Sequence, residues 1–331
     1  MVRYSTKFSY SETDWNILRE FWHPVAYSDL VTEQKMEPTQ LLDVPLVVTR
    51  KNGVPLVFQD LCPHRGAPLS SGKWVGGNLE CPYHAFRYNS EGVCVNQKNT
   101  SAALNKFPAI EKYGTIWTCL AGEAKYPLPE WPEFEREDLK FMRLDPIVWN
   151  CAPSRQVENF NDVSHLSWLH GSTFGNPEKP EIEKYKVYED GLTYRFGIDY
   201  ERASVENVGK NGAIESTRLD YYLTLPFYSR LTITTPESHQ YILFNMSSPM
   251  SSRKTNLFLR MARNWDLEGD DQATLDLQYQ VLEEDRPIVE SQKPEEIPLD
   301  LSEEFHIQSD LLSTYYRKGL IKLGLGGHLV A

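Results

Sequence analysis

The chain has 331 residues, 40% hydrophobic and 12% aromatic, and a formal net charge of −12, so it can bury one large core or two ordinary ones and is a poor match for nucleic acid or anionic lipid. No apolar run approaches the roughly 18 residues of a membrane span, and the start, "MVRYSTKFSYSETDW", has no apolar signal segment. Five cysteines, an odd count, disfavour a complete disulfide framework, and a cytoplasmic protein is expected.

In chain order, "ETDWNILREFW" predicts a helical turn or more. "PVAY", "TQLLDVPLVVTR" and "VPLVFQD" predict strands divided by Gly53 and several prolines. Two loops carrying Cys–His pairs follow, and then a strand at "YGTIWTCLAG". Residues 125–146 hold four prolines and no clean period, which puts a domain boundary there, at 140/141. Beyond it "SRQVENFNDVSHLSWLHG" has helical character, and residues 183–263 alternate as strands. A long helix is expected from about Asp266 to Gln292 and another at "LSEEFHIQSDLLSTYYRKG". The fold class is α+β: an all-β domain over 1–140, then a domain over 141–331 whose antiparallel sheet is covered by helices.

"LCPHRGAPLS" and "ECPYHAF" give C-x-H, sixteen intervening residues, then C-x-x-H, over Cys62, His64, Cys81 and His84. Zinc fingers group their cysteines and then their histidines. Here each loop offers one thiolate and one imidazole, which suits a [2Fe–2S] cluster with two sulfur ligands on one iron and two nitrogen ligands on the other. Gly and Pro residues let two tight loops approach and turn backbone N–H groups toward the sulfurs. A zinc site, or four unrelated residues, is the bland alternative.

On these residues the chain resembles the Rieske family. Its respiratory members carry an extra cysteine in each loop and a serine bonded to a cluster sulfur, where this chain has Ala67, Tyr83 and Phe86. Fewer hydrogen bonds to sulfur imply a potential near the low end of the Rieske range, about −150 mV. Such a domain needs less than half the chain, so a further centre should receive the electron.

"NFNDVSHLSWLHG" contains Asp162, His165 and His170. On a helix Asp162 and His165 share a face, whereas two positions five apart diverge by about 140°; Gly171 suggests that the helix breaks after His170. Alone, two histidines on a half-buried helix are as readily structural. Together with the upstream motif, the chain resembles the Rieske non-haem iron oxygenases, in which His165 and His170 would bind a mononuclear iron. The family implies a helix-grip (START-like) second domain, dioxygen as co-substrate and a homotrimer. "HAF" departs from the family's more frequent His-Gly-Trp, and Ala85 tightens that turn.

A carboxylate must complete a 2-His-1-carboxylate triad. In "LQYQVLEEDRPIVESQ" only Asp285 has apolar residues at −4, −3, +3 and +4: Val281, Leu282, Ile288 and Val289. Glu283 and Glu284 have polar or proline neighbours. A salt bridge or buried acid is the alternative for Asp285. Asp162 is expected to support His165 rather than bind metal, and the family suggests that it also reaches His84 of a neighbouring subunit.

No G-x-G-x-x-G lies between a strand and a helix, and the late "KLGLGG" follows a helix, so NAD(P)H electrons must come through a separate reductase or ferredoxin. The reading is an oxygenase that hydroxylates or oxidatively demethylates a small aromatic or natural-product molecule. Arene cis-dihydroxylation is the alternative chemistry; a Rieske electron carrier with an inactive second domain is the non-enzyme alternative. His23, His239, His306 and His328 lack ligand spacing, and Cys94, Cys119 and Cys151 are expected to be structural thiols.

Overall fold

The computed structural model describes residues 8–98, 101–203 and 214–326; His328, and Gly327 of the late glycine run, lie outside them. The chain divides into two compact units, 1–128 with 248–251, and 129–247 with 252–331.

The first unit opens on helix α1 (Glu12–Leu18), started by Ser11, whose hydroxyl accepts the Asp14 N–H and satisfies one of the orphan donors of the first turn. Three small antiparallel sheets follow. His23–Tyr27 pairs with Thr115–Thr118, and that strand with Ala109–Lys112. Glu37–Leu41, Val44–Lys51, Val54–Gln59 and Lys106–Phe107 form the second sheet; Lys73–Val75, Asn78–Glu80 and Arg87–Tyr88 form the third. One Cys–His loop leaves the end of Val54–Gln59. The other is the turn of the hairpin between Asn78–Glu80 and Arg87–Tyr88.

The second unit is built on an eight-stranded antiparallel sheet with the order Lys140–Arg143, Lys254–Arg263, Gln240–Ser251, Tyr228–Thr234, Ile214–Thr224, Thr193–Ala203, Tyr188–Asp190, and Ile147–Trp149 also pairing with Lys254–Arg263. The expected boundary at 140/141 falls within an edge strand of this sheet, and the unit division lies at 128/129. Helices α2 (Pro153–Asn161), α3 (Leu166–Leu169), α4 (Gln272–Ser291) and α5 (Leu311–Leu323) belong to this unit. Proline opens α2, where its missing N–H costs nothing. Gly324, at φ +92°, closes α5. Helix α4 buries Gln278, Leu282, Asp285 and Val289, a single stripe at helical spacing with one carboxylate inside it. Among the described residues no helix is long and apolar enough to cross a membrane.

Candidate metal centre and cluster site

Helix α2 does not run on through Asp162, as its sequence suggests. Asp162 takes an extended conformation, φ −81° and ψ 129°. Its Oδ1 accepts the Ser164 N–H at 2.8 Å, and its Oδ2 accepts the His165 N–H at 3.2 Å and the His165 Nδ1–H at 3.0 Å. A short acidic side chain here competes with the helix for backbone donors and ends it. The pair expected from a helical i,i+3 relation is therefore made by a turn. The histidines flank the single turn of α3, His165 before it and His170 after it, with ring centroids 5.1 Å apart. The divergence of a continuous helix does not arise.

Asp285 is 6% exposed and comes from α4. Its Oδ1 lies 3.5 Å from His165 Nε2 and 3.3 Å from His170 Nε2. Asn159 of α2 donates to the same oxygen at 3.1 Å. The donor atoms of His165, His170 and Asp285 all lie within 4.8 Å of one another, a set that could hold one metal ion. Two imidazoles and one carboxylate match the donor chemistry of non-haem ferrous sites.

Each imidazole is held through its other nitrogen. Asp162 takes His165; for His170 the partner is Glu284, whose Oε2 accepts the Nδ1–H at 2.6 Å. Glu284 is fixed in turn by the Thr173 hydroxyl at 2.5 Å and the Gln280 amide at 3.0 Å. Burial disfavours the charged form at all three sites. At His165 the Asp162 carboxylate outweighs burial and raises the pKa, and bonding to His165 lowers that of Asp162. Thr173 and His170 together lower that of Glu284. The polar or proline neighbours that disfavour Glu284 as a ligand, Gln280 and Pro287, suit a support on the polar side of the α4 stripe.

The three donors open on a cavity of about 220 Å³. Its walls are largely aliphatic and aromatic, with Asn159, Gln278, Thr274 and Arg202 as the polar exceptions outside the donor set. Tyr221, Leu231, Ile233, Tyr241 and Leu243 of the lining come from "YYLTLPFYSRLTITT" and "QYILFNMSSPM", stretches whose sequence offers pocket-lining and ordinary sheet residues alike.

In the first unit Cys62 and Cys81, 1% and 2% exposed, sit in an apolar cluster with Leu69, Leu79 and Tyr88. His64 and His84 are exposed and lie side by side, with ring centroids 4.6 Å apart. The loops close alike: the Cys62 N–H donates to the Ala67 carbonyl, and the Cys81 N–H to that of Phe86. Gly66 adopts φ +71°, and Ala85 takes the matching place in the second loop at φ +54°, a region that disfavours a β-carbon. Burial raises the Cys81 pKa; the N–H groups of Tyr83 and His84, directed at its sulfur, act against that. Two sulfurs inside and two imidazoles outside fit a cluster whose histidine-bound iron faces outward. The Tyr88 hydroxyl lies 3.2 Å from Cys62 Sγ, a hydrogen bond that the low-potential expectation did not include. Of the other cysteines, Cys119 and Cys151 are buried and Cys94 is half-buried; burial pushes the Cys151 thiol up to about 12.

Residues 21–111 match the Rieske [2Fe-2S] domain model, and residues 149–325 match that of the vanillate O-demethylase oxygenase C-terminal domain. Methylxanthine N1-demethylase NdmA of Pseudomonas putida is 31% identical, over 92% of this chain and 89% of the relative. The structure of NdmA from Pseudomonas putida CBB5 with caffeine superposes with a TM-score of 0.80 at 28% identity, covering 93% of this chain and 91% of that one. The oxygenase component of dicamba O-demethylase from Stenotrophomonas maltophilia is 28% identical over 53% of this chain and 54% of its own. The chain belongs to the Rieske non-haem iron oxygenases, as an oxygenase component that works with a [2Fe–2S] cluster, a mononuclear iron and dioxygen.

Proposed function

We propose that this oxygenase component monooxygenates a small aromatic or heteroaromatic substrate, removing a methyl group from nitrogen or oxygen or placing a hydroxyl on carbon. The observation that carries the reading is the convergence of His165, His170 and Asp285 on one largely apolar cavity. The demethylases among its relatives support the choice of reaction.

In this reading Cys62 and Cys81 hold one cluster iron and His64 and His84 the other, while His165, His170 and Asp285 hold the mononuclear iron. That iron, when bound, supplies dioxygen activation with electrons delivered by the cluster. Asp162 and Glu284 each keep a proton on Nδ1, which leaves both Nε2 lone pairs free to bind metal. Asn159 steadies the Asp285 carboxylate, and the aliphatic walls exclude water from the reacting carbon.

As an oxygenase component the chain takes electrons from a reductase or ferredoxin and binds a small molecule. The finer assignments are ours: NAD(P)H as the reductase's source, residence in the cytoplasm, and a homotrimer in which Asp162 passes the electron from His84 of a neighbouring subunit. Two exposed aromatics beside candidate ligands, Trp168 at 68% and Tyr83 at 62%, support contact with another copy.

The test is turnover with a surrogate reductase and ferredoxin under labelled dioxygen, on a panel of methoxybenzoates and N-methylxanthines. Expected is demethylated product with formaldehyde, or one labelled hydroxyl, in step with NADH consumed. A cis-diol carrying two labelled oxygens as the only product would establish dihydroxylation instead.

A further inference from the structure

One hydroxyl of the cavity wall has no hydrogen-bond partner among the described residues. Tyr221, on the strand Ile214–Thr224, is 1% exposed and lines the cavity on which the three donors open. It rises from the same sheet face as Leu219, two residues earlier, and stands opposite Leu231 of the next strand; both belong to the same wall. Burial and the charges of Asp162 and Arg202 act on its hydroxyl, and no hydrogen bond does. By contrast, Asn159 donates to Asp285, Thr274 accepts from Arg263, Arg202 donates to the Ala203 carbonyl, and Tyr241 donates to Gln278. A buried hydroxyl left without a hydrogen bond is disfavoured, and a buried tyrosine ordinarily finds a partner for its own.

The ring that carries this hydroxyl is held in place. It stacks on Phe196 at 4.9 Å with 4° between the planes, and Phe196 stacks on Tyr185 at 4.2 Å. Tyr185 is anchored in turn, since its hydroxyl donates to the Ser309 carbonyl at 2.6 Å and accepts the Leu312 N–H at 3.2 Å. Burial pushes the Tyr221 pKa up, and the Asp162 carboxylate adds to it, so the hydroxyl keeps its proton at neutral pH and can donate it. Asp162 is also the partner of His165, so Tyr221 stands close enough to the metal donors to feel the carboxylate that holds one of them.

We propose that Tyr221 is a specificity residue of the pocket: its hydroxyl donates a hydrogen bond to an acceptor atom of the substrate and so fixes which carbon turns toward His165, His170 and Asp285. The proposal rests on the monooxygenase reading and deepens it to the group that orients the substrate. A site built to hydrogen-bond one atom rejects the analogue that lacks it, because the buried partner is then left unpaired.

The experiment is anaerobic calorimetry on the full chain with its cluster oxidised, so that no turnover occurs. The probes are 4-methoxyacetophenone and 4-isopropenylanisole, which puts a methylene where the ketone has its oxygen. Tyr221→Phe removes the hydroxyl and keeps the stacked ring. It is expected to weaken the ketone about 3–10-fold, the range for one neutral hydrogen bond, and to leave the alkene within about twofold. Three results would overturn the assignment: a ketone affinity unchanged in Tyr221→Phe, as when an ordered water is the hydroxyl's sole partner; equal weakening of both probes; or a ketone that fails to bind wild type at millimolar concentration. Iron content measured on the same samples separates the two readings. A missing ketone-specific loss with iron retained counts against Tyr221 alone, and missing iron with the ketone-specific loss intact counts against the proposed iron ligands alone.

Discussion

His170 Nδ1 lies 2.6 Å from Glu284 Oε2, while Nε2 of the same ring faces Asp285, the next residue on α4. One imidazole thus meets two successive carboxylates, one on each nitrogen. Removal of such an outer partner typically weakens metal binding about 10–100-fold. Glu284→Ala should therefore lower iron affinity by that factor, and Glu284→Gln, which keeps an acceptor oxygen, by less. Iron retained after dialysis against a graded series of chelator concentrations checks this; an unchanged profile in Glu284→Ala would contradict it.

Tyr88 bears on the cluster. A hydroxyl donated to a ligand sulfur favours the reduced, more negative cluster and so raises its potential. Loss of one hydrogen bond to a charged group is worth about 1.4 kcal/mol, which for one electron is about 60 mV. Tyr88→Phe should lower the midpoint potential by roughly that amount, read by redox titration of the visible spectrum. An equal or higher potential would mean that the hydroxyl does not act on the sulfur.

His23 gives a pH dependence of stability. It is fully buried and donates Nε2–H to the Leu18 carbonyl at 2.9 Å; burial lowers its pKa from 6.5 to about 4, outweighing that bond. The unfolded chain then binds the extra proton first. This contribution is fully present above pH 6.5 and is lost as the pH falls toward 4, reaching about 3 kcal/mol. His23→Gln keeps a donor but cannot titrate, so its urea midpoint should fall less steeply over that interval than wild type's. Parallel curves for the two proteins would rule out His23 as the source.

Asp162 separates support from electron transfer. Asp162→Asn keeps an acceptor for His165 Nδ1 but removes the charge, so both metals should stay bound. If its carboxylate carries the electron between subunits, single-turnover reoxidation of the reduced cluster should slow by orders of magnitude with iron fully loaded. Reoxidation at the wild-type rate would leave Asp162 with its contacts to His165 and Ser164 alone.

What the sequence made legible depended on range. Cys62, His64, Cys81 and His84 lie in short loops whose spacing and turn residues are local, and Asp285 betrays itself as a carboxylate in an apolar stripe. Even there Ile288, counted among its apolar neighbours, is 52% exposed, and Leu282 and Val289 alone of the four are fully buried. Glu284 was invisible because its partners, His170 and Thr173, lie more than a hundred residues away. The break at Asp162 was hidden because an aspartate that caps and one that rides on a helix look the same until its backbone donors are seen. Tyr221 could not be told from the other aromatics of its stretch, since strand residues facing a pocket and a core read alike.

The central claim is that His165, His170 and Asp285 hold an iron independent of the cluster. Iron per chain, counted together with the cluster's electron-spin signal in wild type and Asp285→Ala, tests it most directly. The account predicts about three irons falling to about two, with the Rieske signal at full intensity. Iron unchanged in Asp285→Ala, or lost in step with the Rieske signal, would contradict it.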